Sequence, residues 1–209
     1  MKILGLLAGA ALLLGAQSAY AVTINNGSFE TGTAPGAFTP VGAGGTNITG
    51  WTVDSGSIDY IGNYWTASDG ARSVDMSGGG AGQISQALSG LTIGQQYTIT
   101  FDLAGNPAGG PIVKDLEVSA GGITSLYSFD TTGQSLSDMG WATQTFVFVA
   151  TATTDTLAFL SLNNTSYGPA LDNVTIAATP IPGAILLFGS ALGGMGFLGY
   201  RRKKLEVAA

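Results

Sequence analysis

The segment YTITFDL, residues 97–103, is the clearest indication of fold in this 209-residue chain. Apolar side chains at Tyr97, Ile99, Phe101 and Leu103 alternate with polar ones. Successive side chains of a β-strand point to opposite faces, so this spacing predicts a strand with one face in a core.

Short alternating runs of the same kind continue on both sides, and turns rich in Gly, Asn, Asp and Ser separate them. No stretch of residues 22–178 keeps a helical period. Many short strands with polar turns every 8–12 residues or so predict an all-β jelly roll or β-sandwich. The predicted strands are residues 57–61, 71–76, 83–88, 97–103, 114–119, 123–129, 143–150, 156–162 and 170–176.

The N-terminus has the pattern of a secretory signal peptide, residues 1–21. Lys2 provides the positive charge, residues 3–16 form the apolar region, and Ala19-Tyr20-Ala21 is an A-x-A cleavage site. We therefore expect an exported protein whose mature chain starts at Val22.

The C-terminal segment, residues 179–204, has three parts in a fixed order. A proline element, which neither strand nor helix interior accepts, comes first. An uncharged apolar run of 17 residues, 184–200, follows and is just long enough for a bilayer core of about 30 Å. The final basic cluster should stay in the cytoplasm. The proline element is Pro180, Ile181, Pro182 and Gly183, and the basic cluster is Arg201, Arg202, Lys203 and Lys204.

This tail predicts a single transmembrane helix with residues 22–178 on the far side of the membrane. The alternative is a helix inside a soluble core. A core helix has a polar face, however, and this run is apolar all round.

Charge and composition exclude several function classes. Residues 22–178 hold two basic residues, Arg72 and Lys114, against twelve acidic ones, a net charge of −10. Such a charge argues against nucleic acid and anionic membrane surfaces as partners. The chain has no His and no Cys, which excludes serine triads, thiol nucleophiles and imidazole zinc sites.

Carboxylate pairs, as used by glycoside hydrolases, are the catalytic route that remains. The candidates are Asp54, Asp59, Asp69 and Asp75. Nothing beyond the abundance of acidic residues supports this route, so we predict that the protein is not an enzyme.

A loop with aromatic residues suggests a binding role. Asn63, Tyr64 and Trp65 are followed by Asp69 and Arg72. Exposed rings beside hydrogen-bonding side chains suit the C–H faces and hydroxyls of sugars, so these five residues are predicted to bind carbohydrate. The alternative is that Trp65 is buried as a plug over the end of the sandwich, since large aromatic residues are mostly buried.

The closing strand contains a carboxylate, Asp172. A period of two places it on the same face as Val174 and Ile176. A carboxylate on a core face must be paired, hydrogen-bonded or bound to a metal. The alternative to a metal is that Asp172 caps a turn through backbone N–H groups.

The two ends of this region resemble the galactose-binding-like jelly-roll domains found in many carbohydrate-binding modules. The matching segments are NNGSFE, residues 25–30, and ALDNVTI, residues 170–176. In that class the two ends meet and often hold a structural Ca²⁺. The resemblance implies that Glu30 and Asp172 bind Ca²⁺.

The middle of this region resembles one particular family more closely than it resembles the class as a whole. Residues 50–78, 101–121 and 168–176 resemble the choice-of-anchor C domain, which occurs ahead of alternative surface-sorting tails. The tail itself resembles the PEP-CTERM sorting signal of Gram-negative bacteria that make extracellular polysaccharide. It departs from the commonest motif at Ile181, where Glu is usual.

These resemblances imply an exosortase as partner, transient anchoring in the inner membrane, and final placement at the cell surface or in the extracellular matrix. The predicted function is a non-catalytic surface protein associated with exopolysaccharide. A lectin-like carbohydrate-binding module is the alternative, and a carboxylate-dependent glycoside hydrolase is a remote one.

Overall fold

A computed structural model describes residues 22–179 of the chain. The predicted signal peptide and sorting tail lie outside these residues. Within them every regular element is a strand, and no helix is long and apolar enough to span a membrane. The eleven strands of this region are β1 Phe38–Gly42, β2 Thr52–Ser55, β3 Ser57–Ile61, β4 Ser73–Asp75, β5 Gln83–Ser89, β6 Gln96–Gly105, β7 Val113–Ala120, β8 Ile123–Asp130, β9 Ala142–Val149, β10 Thr154–Ser161 and β11 Pro169–Ala178.

The strands form two antiparallel sheets. One has six strands in the order β1-β3-β4-β11-β6-β9, and the other has five in the order β2-β5-β10-β7-β8. Strands that are neighbours in a sheet are often distant in sequence, as in the long pairing of β6 with β11. The predicted all-β sandwich is confirmed.

The core lies between the sheets and is rich in aromatic rings. Phe101 of the six-stranded sheet contacts Phe159 of the five-stranded sheet edge-on, with ring centroids 5.3 Å apart. Trp51 packs on Phe159 at 6.1 Å, and Phe29 packs on Trp51 at 5.3 Å. Such pairs add to the hydrophobic stabilisation of burial. The N-terminal segment around Phe29 is therefore part of the folded core.

All nine strands predicted from the sequence are present, with ends that shift by a few residues. The two that were not predicted, β1 and β2, each lie at an edge of a sheet. β1 contains Pro40, which an edge strand tolerates because only one side of it is hydrogen-bonded. β2 is only four residues long, too short to display a clear alternation.

The last strand corrects one prediction. The register of β11 against β6 shifts between Asp172 and Thr175, and Asn173 has a positive φ of 48°. Asp172 pairs with Asp102, whereas Ile176 pairs with Ile99, three residues away along β6. A bulge inserts an extra residue and so inverts the alternation. Asp172 therefore points to the outer face, away from the core, and the predicted common face with Ile176 is wrong.

Candidate functional site

A cleft of about 490 Å³ lies on the outer face of the six-stranded sheet, the face turned away from the core. Its floor comes from three adjacent strands, on which Pro40, Asp59 and Asp75 are cross-strand neighbours. Loops of distant sequence supply the rest. The lining residues are Phe38, Pro40, Asp59, Ile61, Tyr64, Asp75, Gly78, Gly79, Asn106, Ser166 and Tyr167. We refer to this site as the outer cleft.

Three aromatic rings line the outer cleft. Phe38 is 45% exposed and Tyr167 is 38% exposed, high values for such large side chains. Tyr64 is half-buried and meets Phe38 edge-on, with centroids 5.4 Å apart. Exposed ring faces of this kind can pack against the apolar faces of a ligand.

Asp75 is fully buried at the floor and held by three hydrogen bonds. Its Oδ1 accepts from the backbone N–H groups of Ser77 and Gly168, both at 3.0 Å, and its Oδ2 accepts from Asn106 Nδ2 at 2.8 Å. Burial raises the pKa of Asp75 to about 7, although these hydrogen bonds act in the opposite direction. The carboxylate is thus placed rigidly but is costly to ionise.

Asp59 lies beside Asp75 on the neighbouring strand. Its Oδ1 is buried and has no hydrogen-bond partner among residues 22–179. Burial raises the pKa of Asp59 to about 6. A buried oxygen without a donor is unfavourable, so this side chain favours a ligand that can donate hydrogen bonds.

Lys114 connects the loops that carry Tyr167 and Asn106. Its Nζ donates to the carbonyl oxygens of Gly109 and Tyr167, both at 2.7 Å, and its side chain is fully buried. Burial lowers the pKa of Lys114, while the nearby Asp75 carboxylate acts to raise it. The residue is a positioning residue that holds Tyr167 at the outer cleft.

Only one of the five predicted sugar-binding residues, Tyr64, lines the outer cleft. Trp65 is 5% exposed, and its Nε1 donates to Ser73 Oγ at 2.7 Å. The structure therefore supports the alternative in which Trp65 is a buried packing residue. Asn63 lines a separate, shallower depression together with Tyr64 and Trp65. This depression and the outer cleft share Tyr64.

The other two predicted residues, Asp69 and Arg72, have structural contacts. Asp69 Oδ2 accepts from Ser28 Oγ at 2.7 Å. Arg72 Nη1 donates to Tyr60 Oη at 2.8 Å, and its guanidinium lies over the Tyr60 ring. Both side chains thus tie the β3–β4 loop, residues 62–72, to the rest of the domain.

The four candidate catalytic carboxylates lie in three separate places. Asp59 and Asp75 are neighbours in the outer cleft. Asp54 lies on β2 of the other sheet, where it accepts from Ser85 Oγ at 3.0 Å. Asp69 belongs to the β3–β4 loop. Only the first pair could act together on a ligand.

Glu30 and Asp172 both hold the β3–β4 loop through its backbone. Asp172 Oδ2 accepts from the N–H groups of Ser68 and Asp69, at 2.8 and 2.9 Å. Glu30 Oε1 accepts from those of Ala71 and Arg72, at 2.8 and 2.7 Å. Glu30 is exposed, whereas Asp172 is fully buried, so the two carboxylates do not share a core face.

Backbone carbonyl oxygens just before Glu30, which could add further ligands to a Ca²⁺ ion, accept hydrogen bonds instead. The carbonyl oxygens of Asn26 and Gly27 accept from Trp51 Nε1 and from the N–H of Val174. Within residues 22–179 no group of three or more acidic residues is arranged to hold a metal ion. A Ca²⁺ ion bound by Glu30 and Asp172 stays a prediction.

The calcium prediction can be tested by melting metal-stripped protein with and without Ca²⁺. An ion bound only to the folded state would add about 2.7 kcal/mol of stability at a hundredfold excess over its Kd. Asp172→Asn would remove that gain. A melting temperature that changes with neither Ca²⁺ nor chelator would contradict the calcium site. Glu30 and Asp172 would then only cap the β3–β4 loop through their hydrogen bonds.

Sequence reasoning missed Phe38, Asn106, Lys114 and Tyr167. Phe38 lies on the edge strand β1, and Asn106 and Tyr167 lie in loops, where no regular pattern marks them. Lys114 lies on the predicted strand β7, but its burial could not be expected from its charge. For Asp59 a signal was present, because it falls between the core residues Ile58 and Tyr60 and must therefore point outward.

The two packed antiparallel sheets place the protein in a broad class, the β-sandwich domains. Solved structures of similar fold include the CBM35 module from Paenibacillus barcinonensis, with 19% identity and a TM-score of 0.45 over 68% of this chain and 99% of that one. Another is CBM4, with 18% identity and a TM-score of 0.43 over 75% of this chain and 99% of that one. The module TmCBM61, solved with β-1,4-galactotriose, has 19% identity and a TM-score of 0.43 over 74% and 96%. At these values the likeness concerns the fold alone.

The family follows from sequence. Residues 22–177 match the family described as "Protein of unknown function (DUF642)", and the chain belongs to that family. The chain is also 31% identical over 188 residues to Halomucin of Haloquadratum walsbyi strain DSM 16790 / HBSQ001. That match covers 87% of this chain but only 2% of the length of Halomucin.

Proposed function

We propose that the β-sandwich is a non-catalytic carbohydrate-binding module and that the outer cleft is its binding site. One observation carries the proposal: three accessible aromatic rings and two carboxylates share a single cleft. The rings suit the C–H faces of a sugar, and Asp59, the less buried of the two carboxylates, suits its hydroxyl groups as an acceptor.

The size and polarity of the outer cleft agree with this use. Its volume of about 490 Å³ falls within the range of small-ligand sites, roughly 300–1,000 Å³. The side chains of Asn106 and Ser166 add further polar groups beside the carboxylates. An oligosaccharide would therefore meet apolar and polar surface in the same site.

The sequence at both ends supports a location for this activity. The A-x-A site before Val22 and the Pro180–Lys204 tail imply export, an exosortase as partner and transient anchoring in the inner membrane. Binding to extracellular polysaccharide would then retain the protein at the surface or in the matrix of a Gram-negative bacterium. We include in this proposal that residues 22–178 form a choice-of-anchor C domain.

Removing a ring from the outer cleft should weaken sugar binding. Tyr167→Ala and Tyr64→Ala should each lower affinity about tenfold, since a lost ring contact costs on the order of 1.5 kcal/mol. A glycan array would identify a ligand, and calorimetry would measure its Kd. Leu126→Ala, an exposed change on β8 of the other sheet, is the control and should bind like the parent protein.

Two results would contradict this proposal. One is the absence of binding on an array that includes bacterial exopolysaccharides. The other is ring variants with unchanged affinity, which would place any sugar site elsewhere. Release of new reducing ends from a bound oligosaccharide would instead favour the glycoside hydrolase alternative, with Asp59 and Asp75 as the carboxylate pair.

Processing at both ends can be tested by intact mass. Protein recovered from the surface of the native host should lack residues 1–21 and the apolar run 184–200, because signal peptidase and exosortase would have removed them. A surface protein that still carries residues 184–200 would contradict sorting by cleavage and make the tail a permanent anchor.

A further inference from the structure

The outer cleft carries two carboxylates, and no basic side chain of residues 22–179 is part of its lining. Asp59 and Asp75 are side by side at its floor, and the other lining side chains are apolar or neutral. Residues 22–179 contain two basic side chains, and both are engaged elsewhere. Arg72 bonds to Tyr60, and Lys114 bonds to backbone carbonyls behind Tyr167.

In this pair, Asp59 has a buried oxygen without a hydrogen-bond donor from residues 22–179. Asp59 Oδ1 is buried with no hydrogen-bond partner in the described part of the chain, whereas both oxygens of Asp75 are bonded. An anion that has lost water without gaining donors is unfavourable, and a cation placed against its accessible side would relieve that cost. An ammonium group offers three donors and a full positive charge.

We propose that the outer cleft selects sugars with a free amino group, such as glucosamine oligomers, over N-acetylated and uronic acid sugars. The proposal rests on the carbohydrate-binding function proposed above. An ammonium group at the floor would bond to Asp59 while the sugar ring packs against Tyr64 and Tyr167. A uronate in the same place would bring a third carboxylate toward two others, and like charges at short range repel.

The surroundings of Asp59 agree with this charge selection. Asp75 faces it from β4 and Pro40 from β1. The loops add only the phenol groups of Tyr64 and Tyr167, and Lys114 lies behind the Tyr167 carbonyl. No lining group within residues 22–179 therefore offers a positive charge to a sugar carboxylate.

The test compares three tetrasaccharides on the full-length chain in mild detergent by calorimetry at pH 7. These are the tetramers of glucosamine, N-acetylglucosamine and galacturonic acid. We expect the glucosamine tetramer to bind about tenfold more tightly than its N-acetylated counterpart, because a charge-assisted hydrogen bond replaces a neutral one. The galacturonate tetramer should show no measurable binding.

Variants separate the outer cleft from general attraction to an acidic protein. Asp59→Asn should reduce the preference for the amine to about onefold, because its amide keeps the shape and removes the charge. Asp130→Asn removes an exposed carboxylate outside the outer cleft and should keep the full preference. A preference that survives Asp59→Asn, or one that is lost in both variants, would overturn the proposal.

A change of pH provides a second readout. Burial raises the pKa of Asp59 to about 6 and that of Asp75 to about 7, so both are largely neutral at pH 5. The sugar amine is more fully protonated at pH 5 than at pH 7, so a fall in the preference for it would come from the carboxylates. Equal binding of the amine and its acetylated form at pH 7 would overturn this inference but leave carbohydrate binding standing. Failure of every glycan to bind would overturn both.

Discussion

Replacing Gly27 with alanine should destabilise the fold by about 3 kcal/mol or more, because the new methyl group has no space. A Cβ at this position would lie deep inside van der Waals contact of the Val174 carbonyl oxygen and 2.9 Å from the Val174 carbonyl carbon. Both partners are backbone, so no side-chain rotation relieves the clash. The Val174 N–H also donates to the Gly27 carbonyl at 2.9 Å, which holds the two segments together.

The effect should extend to the β3–β4 loop. Gly27 precedes Phe29, a core residue, and Glu30, which caps that loop. Displacing the N-terminal segment from β11 would disturb both. We expect Gly27→Ala to lower the denaturation midpoint sharply and to weaken binding in the outer cleft, which Tyr64 of the same loop lines.

Gly42→Ala is the matched control. A Cβ there would meet no atom within 4 Å, and the residue does not need a positive φ. Its stability should stay within about 0.5 kcal/mol of the parent protein, as for most surface changes. Chemical denaturation would measure the free energy of unfolding of both variants. Equal losses of stability would show that the close Gly27–Val174 contact does not determine the stability of the fold.

The stability of the domain should fall as pH rises from 5 to 8. Burial raises the pKa of Asp75 and of Asp172 to about 7, and that of Asp59 to about 6. In the unfolded chain these groups titrate near 3.9, so the folded state binds more protons between about pH 4 and pH 7. Their stabilising contribution is therefore complete at acid pH and is lost as pH rises through the folded-state pKa values.

The expected loss is roughly 3 kcal/mol, given about 1.4 kcal/mol per pKa unit and allowing for solvent relaxation around these groups. Asp102 does not offset this loss of stability between pH 5 and 8. Burial acts to raise its pKa, but hydrogen bonds from Ser68, Thr143 and Asn173 leave that pKa lowered. Denaturant unfolding at four pH values would measure the slope.

Variants identify the source of the slope. Asp75→Asn should remove part of the decrease, since it deletes a buried titrating group. Asp130→Asn should leave the decrease in place, because a hydrogen bond from Thr132 lowers the pKa of Asp130 and keeps it ionised throughout. A stability that rises with pH in this range would mean that the buried carboxylates are ionised at little cost.

Much of the fold could be predicted from local pattern. In β6, Tyr97, Ile99, Phe101 and Leu103 are all buried, as their alternation predicts. Local pattern is sufficient here because one face of each strand is apolar, and the alternation of side chains shows which residues lie on that face. The pattern is weakest at sheet edges, where β1 and β2 have less to bury, and those strands were missed.

The aromatic loop shows how burial can reverse a functional prediction. Trp65 was a predicted sugar contact, yet it is covered and bonded to Ser73. Its neighbour Tyr64 does reach the outer cleft. Two adjacent rings in one loop cannot be told apart by composition, since their exposure depends on which strands lie beneath them.

The amino-acid sequence alone determined the sandwich, its acidic charge and the absence of His and Cys chemistry, because alternation and composition are local properties. Only the tertiary structure decided where a ligand could bind. Strand order brings Phe38, Asp59, Asp75 and Tyr167 together from distant parts of the chain. The bulge at Asn173 turned Asp172 to the outer face, a change of a single residue in register. Pairing partners and bulges depend on contacts between remote segments, which no local pattern encodes.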